Sequence, residues 1–216
     1  ELMTLELPDY SQTEDVCREV LDFVEQRHVN VIAIGSGLQP EAAAAVRALV
    51  AKVKVPVVLD AGGLAAFRGY LPQLMASAKQ NAQIVLTPHT GEYARLVGTD
   101  ADTPKVLREQ ATQFAREHQL TVVLKGDRTL VAHPNGNVYE NTTGNPGLAT
   151  AGTGDVLTGM IAGLLAQHVE FSQAVELAVY LHGLAGDLAA EAKTQAGVIA
   201  SDIIEYLPEA LKRSMM

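Results

Sequence analysis

Short runs of β-branched and aliphatic residues, each closed by a loop and most followed by a helix-like stretch, constrain this chain more than any other feature. They fall at 29–34, 55–60, 84–87 and 122–125. The first ends in Gly35-Ser36-Gly37, the second in Asp60-Ala61-Gly62-Gly63, the third in Thr87-Pro88-His89-Thr90-Gly91-Glu92 and the fourth in Lys125-Gly126. Strands alternating with helices predict an α/β fold with a mostly parallel sheet. In such a sheet ligands bind beyond the carboxyl ends of the strands, so these four loops are expected to gather at one edge.

The helical stretches carry their own signals. Ser11 and Glu14 form an S-x-x-E capping box, which predicts a helix start. Val16, Val20, Phe23 and Val24 then share one face. Pro40 suits the first turn of the helix that follows it. Thr103-Pro104 opens another, with Leu107, Ala111 and Phe114 inward. A hairpin is predicted from 129–133 to 138–140, turning at Asn135-Gly136. Two long helices are expected near 153–167 and 172–192, the second with a stripe of Leu177, Leu181, Leu184 and Leu188. Ser201 is expected to cap a last helix.

No linker or composition shift divides the 216 residues, so one domain over 1–216 is expected. Acids outnumber bases 25 to 16, which argues against a nucleic-acid partner. Cys17 is the one cysteine, too few for a disulfide or a multi-cysteine metal site, and it reads as a packing residue. No apolar run reaches the ~18 residues of a membrane span. The acidic opening is no signal peptide, so a cytoplasmic protein is expected. His28, His118, His133 and His168 read as surface residues and His182 as a core or interface histidine. A homo-oligomer is expected, with the apolar helix 172–192 as an interface.

The chemistry concentrates in 144–163, GNPGLATAGTGDVLTGMIAG, which holds six of the 18 glycines. Gly152-Thr153-Gly154-Asp155 runs straight into an amphipathic helix. Glycines let backbone amides approach a ligand, and the first turn of a helix has unpaired N–H groups and a partial positive charge. Gly152, Thr153 and Gly154 therefore form a candidate anion hole for a phosphoryl group in transfer. Asp155 beside it is a candidate general base toward a hydroxyl. The alternative is that Asp155 caps the helix while Gly159 and Gly163 serve packing. Neither a Walker A motif nor a dinucleotide fingerprint is present.

LTPHTGE (86–92), VVLKGDRT (122–129), NPGLATAGTGD (145–155) and YLHGLAGDLA (180–189) resemble the ADP- or ATP-dependent NAD(P)H-hydrate dehydratases of the ribokinase-like superfamily. The resemblance implies a three-layer α/β/α fold. It also implies nucleotide-dependent phosphorylation of the C6 hydroxyl of hydrated NADH or NADPH (NAD(P)HX), then phosphate elimination. Asp155 would be the base. Gly37 and His89, with Asp155, would contact the hydrated cofactor. Lys125, Gly126, Asp127, Arg128, Thr129 and Gly154 would lie along ADP or ATP, with Mg²⁺ on the nucleotide phosphates. A functional pairing with an NAD(P)HX epimerase is expected. The nearest alternative is a small-molecule kinase of the hydroxymethylpyrimidine or hydroxyethylthiazole type. A second is a nucleotide-binding regulatory protein with a dead site.

Three departures stand beside the resemblance. The family opens with a further βα unit and a glycine-rich segment, whereas this chain begins at Glu1-Leu2-Met3-Thr4, which resembles a later strand. The N-terminal part of the domain is therefore expected to be missing. A family D-A-D stands here as Asp60-Ala61-Gly62, and GSGLQP transfers only Gly35 and Gly37.

Overall fold

The structure, a computed structural model, describes residues 4–81 and 83–215. The strand-like opening at Glu1, Leu2 and Met3 lies outside those residues, and 4–9 forms no strand. The elements in order are α1 (Thr13–Gln26), β1 (Ile32–Ile34), a 3₁₀ turn (Pro40–Ala42) leading into α2 (Ala43–Lys52), β2 (Val57–Leu59), α3 (Ala61–Ala65) and α4 (Leu71–Gln80). Then come β3 (Ile84–Leu86), α5 (Thr90–Val97), α6 (Pro104–His118), β4 (Thr121–Leu124), β5 (Leu130–Ala132) and β6 (Val138–Glu140). The chain closes with α7 (Thr153–Ala166), α8 (Phe171–Lys193) and α9 (Ala200–Ser214).

Among the described residues the strands form one sheet in the order β1-β2-β3-β4-β5-β6. The first four are parallel, and β5 and β6 add an antiparallel meander. Successive side chains on a strand point to opposite faces, and the burial follows that rule. Val57, Leu59, Ile84, Leu86, Val122 and Leu124 join a core with α1 to α6 on one face. Val58, Val85, Val123 and Val131 join another with α7 and α8 on the other. Three layers, α/β/α, result. The strands are buried on both sides, which is why they read as continuous apolar runs.

The structure corrects several local expectations. The carboxylate of Asp9 accepts the Ser11 N–H at 2.8 Å, and its carbonyl accepts that of Gln12. This turn delays α1 until Gln12 takes the cap position with no side-chain cap. Ser201 lies inside α9, whose start is capped by Asp202 reaching back to the Ile199 N–H at 3.0 Å. Gly159 and Gly163 face open space, because α7 buries Leu157, Ile161 and Leu165 on its other side. His133 is buried, its Nε2 2.8 Å from Glu176 on α8; the end of β5 tucks under that helix. The stripe on α8 packs against α7 and α9 within this chain, so the helix offered as an interface is an interior element. Cys17 is buried, and burial pushes its thiol pKa up, which suits packing and not nucleophilic chemistry. Among the described residues no helix is long and apolar enough to cross a membrane.

Candidate active site

The loops after β1, β2, β3 and β4 lie at one edge of the sheet, as parallel pairing requires, and the start of α7 reaches the same edge. Two contacts establish the convergence. Ser36, after β1, donates its hydroxyl to Asp155 Oδ1 at 2.7 Å. A Cβ built on Gly154 would lie 3.1 Å from Lys125 Nζ. The absence of a side chain at 154 is what lets the ammonium come up under the G-T-G-D turn.

Gly152, with φ +89°, is the cap position of α7. Thr153 is buried, and its hydroxyl donates to the carbonyls of Leu148 at 2.7 Å and Thr150 at 2.9 Å. Its amide also points back to Thr150, at 3.3 Å. The amides of Gly152 and Gly154 have no such partner among the described residues, so the candidate anion hole narrows to those two.

His182, deep in α8, approaches the Thr153 carbonyl with Nε2 at 2.9 Å. A carbonyl only accepts, so Nε2 carries the proton and the ring is the Nε2–H tautomer. Burial lowers its pKa to about 4, and the Lys125 charge pushes the same way. The Thr153 carbonyl and the Gly154 amide share one planar peptide. The bond from His182 therefore helps fix where the Gly154 N–H points.

Beneath this turn lies a small polar cluster. Asp60, 2% exposed, ends β2. Its Oδ1 accepts from Thr87 Oγ1 at 2.9 Å and from Lys125 Nζ at 2.8 Å, which ties the ends of β2, β3 and β4 together. Glu92 Oε2 is 4.0 Å from the same ammonium. A buried carboxylate is tolerated when paired and hydrogen-bonded in this way.

His89 caps α5. Its Nδ1 accepts the amides of Gly91 at 3.1 Å and Glu92 at 3.3 Å, while Glu92 accepts the His89 amide at 2.9 Å. The histidine thus has a structural role through Nδ1, while its Nε2 lies 3.6 Å from Glu92 Oε2. The side chain remains 53% exposed, and a bridge pairs His89 with Lys125 across β3 and β4.

The remaining expected residues are placed less centrally. Gly37 is on the Ser36 loop with a positive φ. Gly126, Asp127 and Arg128 form the exposed turn from β4 to β5. Arg108 on α6 steadies that turn by donating to the Arg128 carbonyl at 2.7 Å. The Arg128 side chain points to Glu140, 3.4 Å away, and Thr129 donates weakly to the Gly126 carbonyl. Among the described residues Asp127, Arg128 and Thr129 make no hydrogen bond to the G-T-G-D turn. The residues that sequence reasoning missed are Ser36, Asp60, Thr87, Glu92 and His182. Asp60 had a usable signal, a carboxylate closing a buried strand. The others depend on contacts far apart in sequence.

Comparison with known proteins identifies the family. A family model described as NAD(P)H-hydrate dehydratase matches residues 2–209. A bifunctional NAD(P)H-hydrate repair enzyme of Moorella thermoacetica is 44% identical over 217 residues, 98% of this chain and 40% of the relative. The chain spans about two fifths of the length of the bifunctional relatives it matches. The crystal structure of an ADP/ATP-dependent NAD(P)H-hydrate dehydratase from Bacillus subtilis, co-crystallised with ATP/Mg²⁺ and soaked with CoA, is 38% identical. It superposes with a TM-score of 0.76 over 85% of this chain and 66% of that one. A ribokinase-like superfamily protein from Enterococcus faecalis is 31% identical, with a TM-score of 0.70 over 91% of this chain and 68% of that one. With a family match across nearly its whole length, the chain belongs to the NAD(P)H-hydrate dehydratase family.

Proposed function

We propose that this chain uses ADP or ATP to dehydrate NAD(P)HX back to NAD(P)H, and that residues 1–216 act as one catalytic unit. The observation that carries the reading is the Ser36–Asp155 bond. The Asp155 carboxylate already accepts a hydrogen bond from a hydroxyl at 2.7 Å, beside two amides free for an anion. A substrate hydroxyl arriving there meets a base on one side and a phosphate cradle on the other.

In this mechanism Asp155 accepts the C6 hydroxyl proton as its oxygen attacks the terminal phosphoryl group of the nucleotide. The bond from phosphorus to the leaving nucleotide oxygen breaks. The amides of Gly152 and Gly154, at the positive end of α7, hold the charge on the transferring group. The phosphate then leaves with the C–O bonding electrons, a ring proton is lost, and the double bond returns. Positioning and charge stabilisation dominate such chemistry. Lys125 and the turn through Thr129 lie along the nucleotide, while Gly37 and the half-exposed His89 side chain face the hydrated nicotinamide.

Mg²⁺ is carried on the nucleotide phosphates, as is usual for this ion; the Bacillus subtilis relative co-crystallised with ATP/Mg²⁺ supports this. A functional pairing with an NAD(P)HX epimerase goes with this reading, and the Moorella relative is named as a bifunctional NAD(P)H-hydrate repair enzyme.

The test mixes purified protein with NAD(P)HX, Mg²⁺ and either ADP or ATP, and follows the near-ultraviolet absorbance of reduced nicotinamide. Its return, with one phosphate released per turnover, is expected. Accumulation of a stable phosphate ester would move the assignment to the small-molecule kinases. Nucleotide binding without either product would leave a regulatory protein.

A further inference from the structure

We propose that Asp60 is a positioning residue for the reaction: with Thr87 it holds the Lys125 ammonium under Gly154, where that charge faces the terminal phosphate of the nucleotide. The inference rests on the phosphoryl-transfer reading of the site and deepens it.

A lysine at the end of a strand ordinarily extends into solvent, because its long stem is flexible and its charge strongly hydrated. Lys125 does not. Its side chain is 20% exposed and its Nζ is 2.8 Å from an Asp60 carboxylate that is itself 3% exposed. That bond satisfies one of three ammonium protons. Glu92, at 4.0 Å, is beyond hydrogen-bond distance. Among the described residues no other hydrogen-bond partner of Nζ is present. Two donors are therefore left beside the backbone of Gly154, whose Cβ position is only 3.1 Å from Nζ.

Asp60 is fixed in turn. Its Oδ1 also accepts the Thr87 hydroxyl at 2.9 Å, and that hydroxyl lies 3.2 Å from the Leu59 carbonyl. Thr87 and Asp60 are both buried, so carboxylate and ammonium cannot drift. A pre-aimed cation costs little reorganisation when phosphate charge develops. Helix-end amides alone supply only partial charges.

A purely architectural ion pair would also join β2, β3 and β4, and a double-mutant cycle separates the two roles. Asp60→Asn, Lys125→Met and the double variant are measured for ADP affinity by calorimetry and for NAD(P)HX turnover. Lys125→Met is expected to lower kcat by roughly 10²–10³, the usual loss for one preorganised donor. Asp60→Asn should lower kcat in the same direction and weaken ADP binding. In the Lys125→Met background it should add little, because it acts through the lysine.

Losses that simply add in the double variant overturn the proposal. So does an Asp60→Asn protein that is less stable but retains wild-type kcat and ADP affinity. If Asp60→Asn does not fold, Thr87→Val is measured instead; it frees the carboxylate while leaving the ion pair, and unchanged kcat and ADP affinity there also overturn the proposal. A wild-type protein that binds ADP but never restores NAD(P)H would defeat the proposed function alone, since the cycle can still be read from ADP affinity.

Discussion

At the scale of single residues the site turns on one carboxylate. Asp155 sits in the first turn of α7 beside free amides, and a phosphate drawn to those amides repels it. Its retention there makes sense if it has a proton to remove. The hydrogen bond from Ser36 offers a picture of that task, since a serine hydroxyl stands where a substrate hydroxyl would donate. Asp155→Asn keeps the shape and still accepts from Ser36, and since Asp155 makes no side-chain cap bond to α7, no cap is lost. It should therefore lower turnover by roughly 10²–10⁴, the range for a positioned base, while stability changes little. Nucleotide affinity should hold or rise slightly as the repulsion disappears. Steady-state kinetics with calorimetry of ADP binding checks this. Turnover near the wild-type value would remove Asp155 from the mechanism, and a variant that unfolds would make its bond with Ser36 a structural one.

At the scale of elements, much of the architecture was legible because the strands are buried on both faces and so stand out as apolar runs. The hairpin at Asn135-Gly136 and both long helices fall where their patterns place them. What stayed hidden depended on non-local contacts or an unusual cap. The start of α5 was missed because its cap is a histidine, outside the usual Ser, Thr, Asp and Asn set. The Ser36–Asp155 and Asp60–Lys125 pairs span 119 and 65 residues, and no local pattern announces them. Glycines in helices show the same limit, since sequence cannot tell a packing glycine from an idle one. Gly183 in α8 packs against Thr143, so an added Cβ would overlap the Thr143 side chain and carbonyl. Gly159 in α7 meets nothing. Gly159→Ala should stabilise by up to about 1 kcal/mol from helix propensity. Gly183→Ala gains that same term but loses about 1–3 kcal/mol to overlap, so its melting temperature should fall. A Gly183→Ala protein at least as stable as wild type would show that the loop at Thr143 yields freely.

At the scale of the whole molecule, the layer formed by α7 and α8 is tied to the site by a neutral buried histidine, and this sets how stability responds to acid. His182 has a pKa of about 4 in the folded chain, against an ordinary 6.5, chiefly because it is buried. Between those values the unfolded chain binds a proton that the folded chain excludes. Stability from this group is thus fully present above about pH 6.5 and is lost as pH falls toward about 4. A displacement of that size corresponds to roughly 3 kcal/mol, a substantial share of the ~5–15 kcal/mol that holds a typical domain. The net charge of −9 relaxes to zero near the pI of about 5.1, which weakens self-repulsion and works the other way in the upper part of this window. A loss of stability above the pI of about 5.1 therefore reports groups such as His182 and not overall charge, and below it the comparison of variant with wild type isolates His182. His182→Gln places an amide N–H where Nε2 was, able to reach the Thr153 carbonyl, and it does not titrate. Urea unfolding at about pH 7 and about pH 4.5 should show a smaller acid loss in the variant than in wild type. Turnover near neutral pH should be largely retained, because the Gly154 peptide keeps its donor. Equal acid losses in the two proteins would mean that His182 accepts its proton without cost and that its burial does not govern the acid limb.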